Sequence, residues 1–239
     1  LKALLDNFEN HFDLHSRLAN ACKTPKYGNE DPMADANVTW IVEMLDDAFG
    51  QKTNYRGGRY RVGYWSMTNN AGFGRLMGAT PNGRKGGENF ASGITPVSGA
   101  TPYLTPALNS VANQPARCFA NGIALNLKYT PETENRAAML DNFVASVEGY
   151  FDDNEGERDG GMEIQFIVRD HRTLERAVKN PEEYADLLVR VSGYTAFFKD
   201  LNPRMQKEII DRTEYRLSTG EMISFEPFVI AEGVPEKGG

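Results

Sequence analysis

The order of elements predicts an α/β or α+β body, and α/β is the assignment adopted. Three observations carry it. Two apolar-periodic helical stretches open the chain, and a Gly/Pro/Asn-rich stretch of more than forty residues fills its middle (68–114). After residue 124, short strand-like runs alternate with helical ones, the pattern of strands linked by crossover helices.

Taken in order, residues 3–22 place Leu4, Leu5, Phe8, Phe12, Leu14 and Leu18 at helical spacing, and Pro25, Gly28 and Pro32 end the segment. Residues 35–49 predict a second helix with Val38, Ile41, Val42, Leu45 and Phe49 on one face, and RYRVGYWSM (59–67) reads as a strand after the Arg56-Gly57-Gly58 turn. The stretch 68–114 gives no regular pattern, and a loop that long is usually functional or wrapped around a larger body. Strand 125–130, helix 131–151 with Pro131 at its start, a turn, strand 162–170, helix 171–180 and a short helix 181–187 follow. Gly193 then sits between two strand-forming runs, 187–191 and 194–198, either as a bulge in a buried strand or because chemistry there requires a residue with no side chain. Residues 203–217 form the last expected helix, and the tail beyond carries apolar residues able to dock before a Gly/Pro/charged end.

Composition excludes several functions. With 239 residues, 40% hydrophobic and a net charge of -7, the chain is ordinary globular material with no basic patch, so nucleic acid is not an expected partner. No run of about 18 apolar residues spans a membrane, and the acidic amphipathic start is not a signal peptide. The two cysteines, Cys22 and Cys118, lie far apart and fit a reducing cytoplasm.

Several short motifs fail on their own terms. GFGRLMG (72–78) is spaced GxGxxxG, one residue too long for a dinucleotide loop, and no acidic residue follows in a clear βαβ unit. His11 and His15 have zinc-site spacing but lack the glutamate of HExxH, and the acidic run 152–159 lacks the sixth-position glycine of a calcium loop. Asn37-Val38-Thr39 is a sequon inside a helical pattern, and Cys118 has no histidine pattern that would mark a nucleophile. No metal site is expected.

RVSGY (190–194), followed by an aromatic run and then KEIIDRTEY (207–215), resembles the glycyl radical signature of the pyruvate formate-lyase-like superfamily. Three stretches agree in order: PKYGNED (25–31), GATPNGRKGGENFASGITPVSG (78–99), and MEIQFIV (162–168) with the NPEEYADLLVRVSGY run (180–194). The resemblance implies the C-terminal part of a glycyl radical enzyme α/β barrel with a buried radical loop. It divides the chain into a barrel portion (1–120), a glycine radical domain (121–217) and a tail (218–239). It further implies that Gly193 loses a hydrogen to a radical-SAM activating enzyme that uses S-adenosylmethionine and an iron–sulfur cluster, with no cofactor bound to this chain itself. The stored radical then passes to a cysteine on another loop, whose thiyl takes hydrogen from a small substrate. Val191, Phe197 and Phe198 are expected to shield the loop, and a cytoplasmic homodimer is the implied assembly.

Two departures shape the expectation. The family's thiyl cysteine lies upstream of the PKYGN-like segment, and neither Cys22 nor Cys118 matches it, so a longer polypeptide with a missing N-terminal part is expected. Ile167 stands where the family strand carries a polar residue, and the tail is long. The loop 90–114 departs from the pyruvate formate-lyase version, so a lyase or dehydratase is preferred to acetyl transfer, and no substrate-binding residue is assigned. The competing readings are a stand-alone spare-part protein that restores a damaged partner and a non-catalytic interaction domain.

Overall fold

A computed structural model describes residues 1–19, 25–101, 103–129, 136–168 and 171–215. Eight α-helices and five strands are assigned among them. The first expected helix is two: α1 (Lys2–Leu5) and α2 (Phe12–Ala19). Asn7, Phe8 and Asn10 between them all have positive φ, and that turn drives Phe8 into the interior at 4% exposure. Helical spacing of apolar residues hid a break made by backbone conformation, in a segment where two asparagines tolerate the left-handed region.

Helix α3 (Pro32–Gly50) extends the expected 35–49 at its start, because Asp31 caps the N–H groups of Met33 and Ala34 and Pro32 occupies the first turn. The stretch 59–67 is not a strand; a single bridge, Thr53 to Arg59, is its ladder contact. The supposed long loop contains α4 (Asn69–Leu76) and α5 (Leu104–Ala112). Helix α5 is buried on most of its surface, including Leu104, Ala107, Leu108 and Val111.

Strand β1 (Leu125–Tyr129), fully buried, is the centre of a parallel three-stranded sheet in the order β2-β1-β5. Its connection to β2 (Ile164–Ile167) runs through α6 (Arg136–Phe151), a parallel crossover that places Asn126 beside Gln165 and Leu127 beside Phe166. The residues 130–135 at the expected helix start and 169–170 at the expected strand end lie outside the described set. One apolar cluster forms around β1 and α5, with Val42, Phe119 and Tyr150.

The second half of the fold carries the glycine. Helix α7 (His171–Lys179) is followed by turns at 181–186 where a short helix was expected. Strands β3 (Leu188–Arg190) and β4 (Thr195–Phe197) then pair antiparallel, and α8 (Pro203–Asp211) packs beneath them. Helix α8 stops short of the expected residue 217: Arg212 is extended, and Glu214–Tyr215 form β5 alongside β1. A second cluster, with Leu174, Val189, Val191, Phe198, Met205 and Ile209, holds hairpin and helices together. Burial of each large aliphatic side chain there contributes about 1.5–3 kcal/mol. Among the described residues no helix is long and apolar enough to cross a membrane.

Candidate functional site

Gly193 is neither in a strand nor at a bulge. It sits at the tip of the β3–β4 hairpin, where the Val191 N–H donates to the Tyr194 carbonyl at 2.9 Å and leaves Ser192 and Gly193 as the two tip residues. Gly193 has φ +78° and Ser192 does not have positive φ, the pattern of a type II turn, whose third position is reserved for glycine. The steric reason for glycine is therefore concrete. A side chain at 193 would be strained by the backbone and would also place its Cβ 3.2 Å from Trp65 Cζ3.

The expected burial of this loop holds for Val191 and Ser192, which are 0% and 1% exposed, and not for the glycine. Gly193, Tyr194 and Thr195 are exposed in this chain. Of the three residues expected to shield it, Val191 and Phe198 are buried under the hairpin, whereas Phe197 is 44% exposed. Phe197, the last residue of β4, is turned away from the core that Phe198 fills.

Two arginines and a glutamine fix the tip. Gln165 on β2 accepts the Gly193 N–H at 3.3 Å and the Arg190 Nε–H at 2.8 Å on the same oxygen, and its amide nitrogen donates to Glu163. Arg190 also donates to Thr195 Oγ1 across the hairpin at 3.0 Å. Beneath the turn, Arg212 donates to the carbonyls of Arg190 and Val191 at 3.1 and 2.7 Å and pairs with Glu208 at 2.9 Å. Arg212 and Glu208 are 7% and 8% exposed, so their pairing occurs largely out of water. The arrangement holds the glycine Cα at a defined position with its N–H engaged.

Sequence reasoning located Gly193 and missed Trp65, Gln165, Arg190 and Arg212. A glutamine in an otherwise apolar strand run was the available signal for Gln165; nothing in the local pattern places Trp65 beside residue 193.

The other candidates have structural duties. His11 hydrogen-bonds Asp6 at 3.3 Å and His15 stacks obliquely on Phe8, both steadying the turn between α1 and α2. Asp159 pairs with Arg117 and Asp152 accepts the Asn154 N–H, so the acidic run closes a turn. Among the described residues no group of three or more His, Cys, Asp or Glu side chains converges to hold a metal. Cys118 is buried, and burial, reinforced by Asp46, pushes its thiol up, away from thiolate character. Cys22 lies outside the described residues. Gly74 of GFGRLMG is a packing glycine: a Cβ there would be 2.3 Å from the Glu88 carbonyl oxygen, where the loop crosses α4.

That loop is organised by Arg84. Its guanidinium reaches the carbonyls of Gly74, Met77, Gly78, Lys85 and Glu88 and lies over the Phe90 ring at 4.5 Å. The GRK motif thus folds its own loop, and from it the Gly87 carbonyl and Asn89 side chain accept from Arg204 of α8.

The glycine radical family matches residues 90–199 and the pyruvate formate lyase-like family residues 1–74. Trans-4-hydroxy-L-proline dehydratase of Clostridioides difficile is 37% identical over 215 residues, 90% of this chain and 26% of that protein. Indoleacetate decarboxylase of Tractidigestivibacter scatoligenes is 33% identical over 193 residues, covering 80% of this chain and 21% of its own length. The glycerol-bound B12-independent glycerol dehydratase of Clostridium butyricum superposes with TM-score 0.79 at 35% identity, over 90% of this chain and 26% of that one. The chain thus spans about a quarter of the length of the relatives it matches. On these grounds the chain belongs to the glycyl radical enzymes of the pyruvate formate-lyase-like superfamily.

Proposed function

We propose that this chain is the radical-bearing part of a longer glycyl radical enzyme that eliminates water from a small hydroxylated substrate. The observation that carries the proposal is the hairpin tip. Gly193 has the turn conformation of a glycine and an engaged N–H, in the segment that the family resemblance aligns with the radical signature. The dehydratases among its relatives favour dehydration over decarboxylation.

In this account a radical-SAM activating enzyme removes one hydrogen atom from the Gly193 Cα. The unpaired electron is delocalised between the flanking amide nitrogen and carbonyl, and the absence of a side chain lets the Cα flatten. During turnover Gly193 takes a hydrogen atom from a cysteine thiol in the part of the enzyme beyond this chain. The thiyl takes a hydrogen atom from the substrate carbon bearing a hydroxyl, and water leaves from the neighbouring position. Hydrogen returned along the same path restores the glycyl radical. The contribution of this chain is to hold Gly193 through Gln165 and Arg212.

The test uses the complete polypeptide, anaerobically activated and offered small diols and hydroxylated amino acids. Loss of water from at least one of them, in proportion to radical content and abolished in Gly193→Ala, is expected. Carbon dioxide release from an arylacetate without dehydration would move the proposal to a decarboxylase. A native polypeptide no longer than this chain that restores activity to a cleaved partner would favour the spare-part reading instead.

A further inference from the structure

We infer that Trp65 is a positioning residue for Gly193, its indole covering one face of the glycine Cα and leaving the hydrogen-transfer partner a single side of approach. The inference rests on the reading of Gly193 as the radical carrier. The position that a Cβ would take at Gly193 is 3.2 Å from Trp65 Cζ3 and 3.8 Å from Cη2, and outside the glycine's chain neighbours no other described atom lies within 4 Å of it. The α-hydrogen on that side of Gly193 therefore faces Cζ3 and Cη2 of the benzo ring. The N–H edge of the same residue is taken by Gln165, and the other α-hydrogen faces away from Trp65.

The placement of Trp65 is fixed by its neighbours. The Tyr64 hydroxyl donates to the Val42 carbonyl at 3.0 Å and its ring meets Phe119 edge-on at 5.2 Å. Ser66 Oγ accepts the Gly93 N–H at 2.7 Å. The backbone at Trp65 is thereby anchored on each side, which holds the residue beside the hairpin. The 59–67 segment, which forms no strand, thus acquires a role: it is a strap pinned to the body that presents one ring to the glycine.

The chemistry of the ring fits the task. Aryl C–H bonds are stronger than a glycine Cα–H bond weakened by its two amide neighbours, so the benzo edge cannot serve as a hydrogen donor to the radical. It fills space without joining the transfer. Hydrogen exchange, and oxygen attack, are then confined to the opposite face.

The test is made on the complete activated polypeptide grown with 5-fluorotryptophan, which puts fluorine on Cζ3. Electron–nuclear double resonance on the glycyl doublet is expected to show a resolved fluorine coupling that disappears in Trp65→Phe grown the same way. A doublet without that coupling in the labelled wild type overturns the inference and leaves the assignment of Gly193 intact; absence of any doublet overturns the assignment and this inference with it. A second measurement asks whether the ring protects. Under limiting oxygen the doublet of Trp65→Ala should decay several-fold faster than wild type, with Trp65→Phe restoring most of the lifetime. Equal decay in all three overturns the covering role.

Discussion

Arg212 shows how much the hairpin tip depends on single side chains. It neutralises Glu208 in a nearly dry site and supplies donors to two carbonyls at the base of the turn. Arg212→Met removes all of these at once and leaves a buried carboxylate unpaired, which costs about 3–5 kcal/mol. A fall of that size in urea-unfolding free energy is expected, and a double variant that also replaces Glu208 with Gln should recover part of it. Lys128 is a different case. It is 1% exposed in the central strand, with its ammonium donating to the Ile210 carbonyl at 2.7 Å. Burial lowers its pKa from the ordinary 10.5, against the opposing pull of Glu214 and Asp211. Between the lowered folded value and 10.5 the unfolded chain binds more protons than the native one, so this group's contribution raises stability as pH rises through that window. Lys128→Met should flatten the alkaline part of the stability–pH profile; an unchanged slope would show that the lysine sheds no burial penalty there.

At the scale of elements, the irregular stretch 77–90 is organised around one guanidinium rather than by a ladder. Lysine at 84 keeps the charge but offers a single ammonium in place of a planar fork. Arg84→Lys is therefore expected to speed amide exchange at Gly87, whose N–H donates to the Met77 carbonyl, while leaving β1 protected. Protection at Gly87 equal to wild type would mean that Gly74 packing and the Arg204 contacts suffice. The same scale explains what was legible in the sequence. Strands β1 and β2 and helices α3, α6 and α7 follow directly from periodicity, because each buries a face whose spacing records it. The split between α1 and α2 was hidden, since positive φ at Asn7, Phe8 and Asn10 leaves the apolar spacing intact. Helix α5 was lost in a Pro- and Ser-bearing stretch because tertiary burial of Leu104, Leu108 and Val111, and not local propensity, stabilises it. Gly193 was legible through its motif, whereas its partners Trp65 and Gln165 come from elements 128 and 28 residues upstream, and such pairings are written in the fold and not in local pattern.

For the whole molecule, the distribution of apolar surface matches the coverage of its relatives. Trp40, Met33, Phe12, Phe73 and Leu76 are each more than half exposed, as is Tyr55 at 89%. Exposed apolar groups on this scale mark surfaces that meet other protein, and the proposal assigns that protein to the remainder of the same enzyme. Residues 1–239 produced alone should bind a hydrophobic dye and unfold over a broad range, and a sharp cooperative transition would count against the assignment. The central claim, that Gly193 stores the radical, has a more direct test. The complete polypeptide is activated anaerobically after growth with unlabelled glycine, with α-deuterated glycine and with [2-13C]glycine, and its electron paramagnetic resonance spectrum is recorded each time. The account predicts a doublet from one α-hydrogen that collapses on deuteration, splits further with carbon-13 and is lost in Gly193→Ala. A radical signal insensitive to glycine labelling, or one that survives Gly193→Ala unchanged, would contradict it.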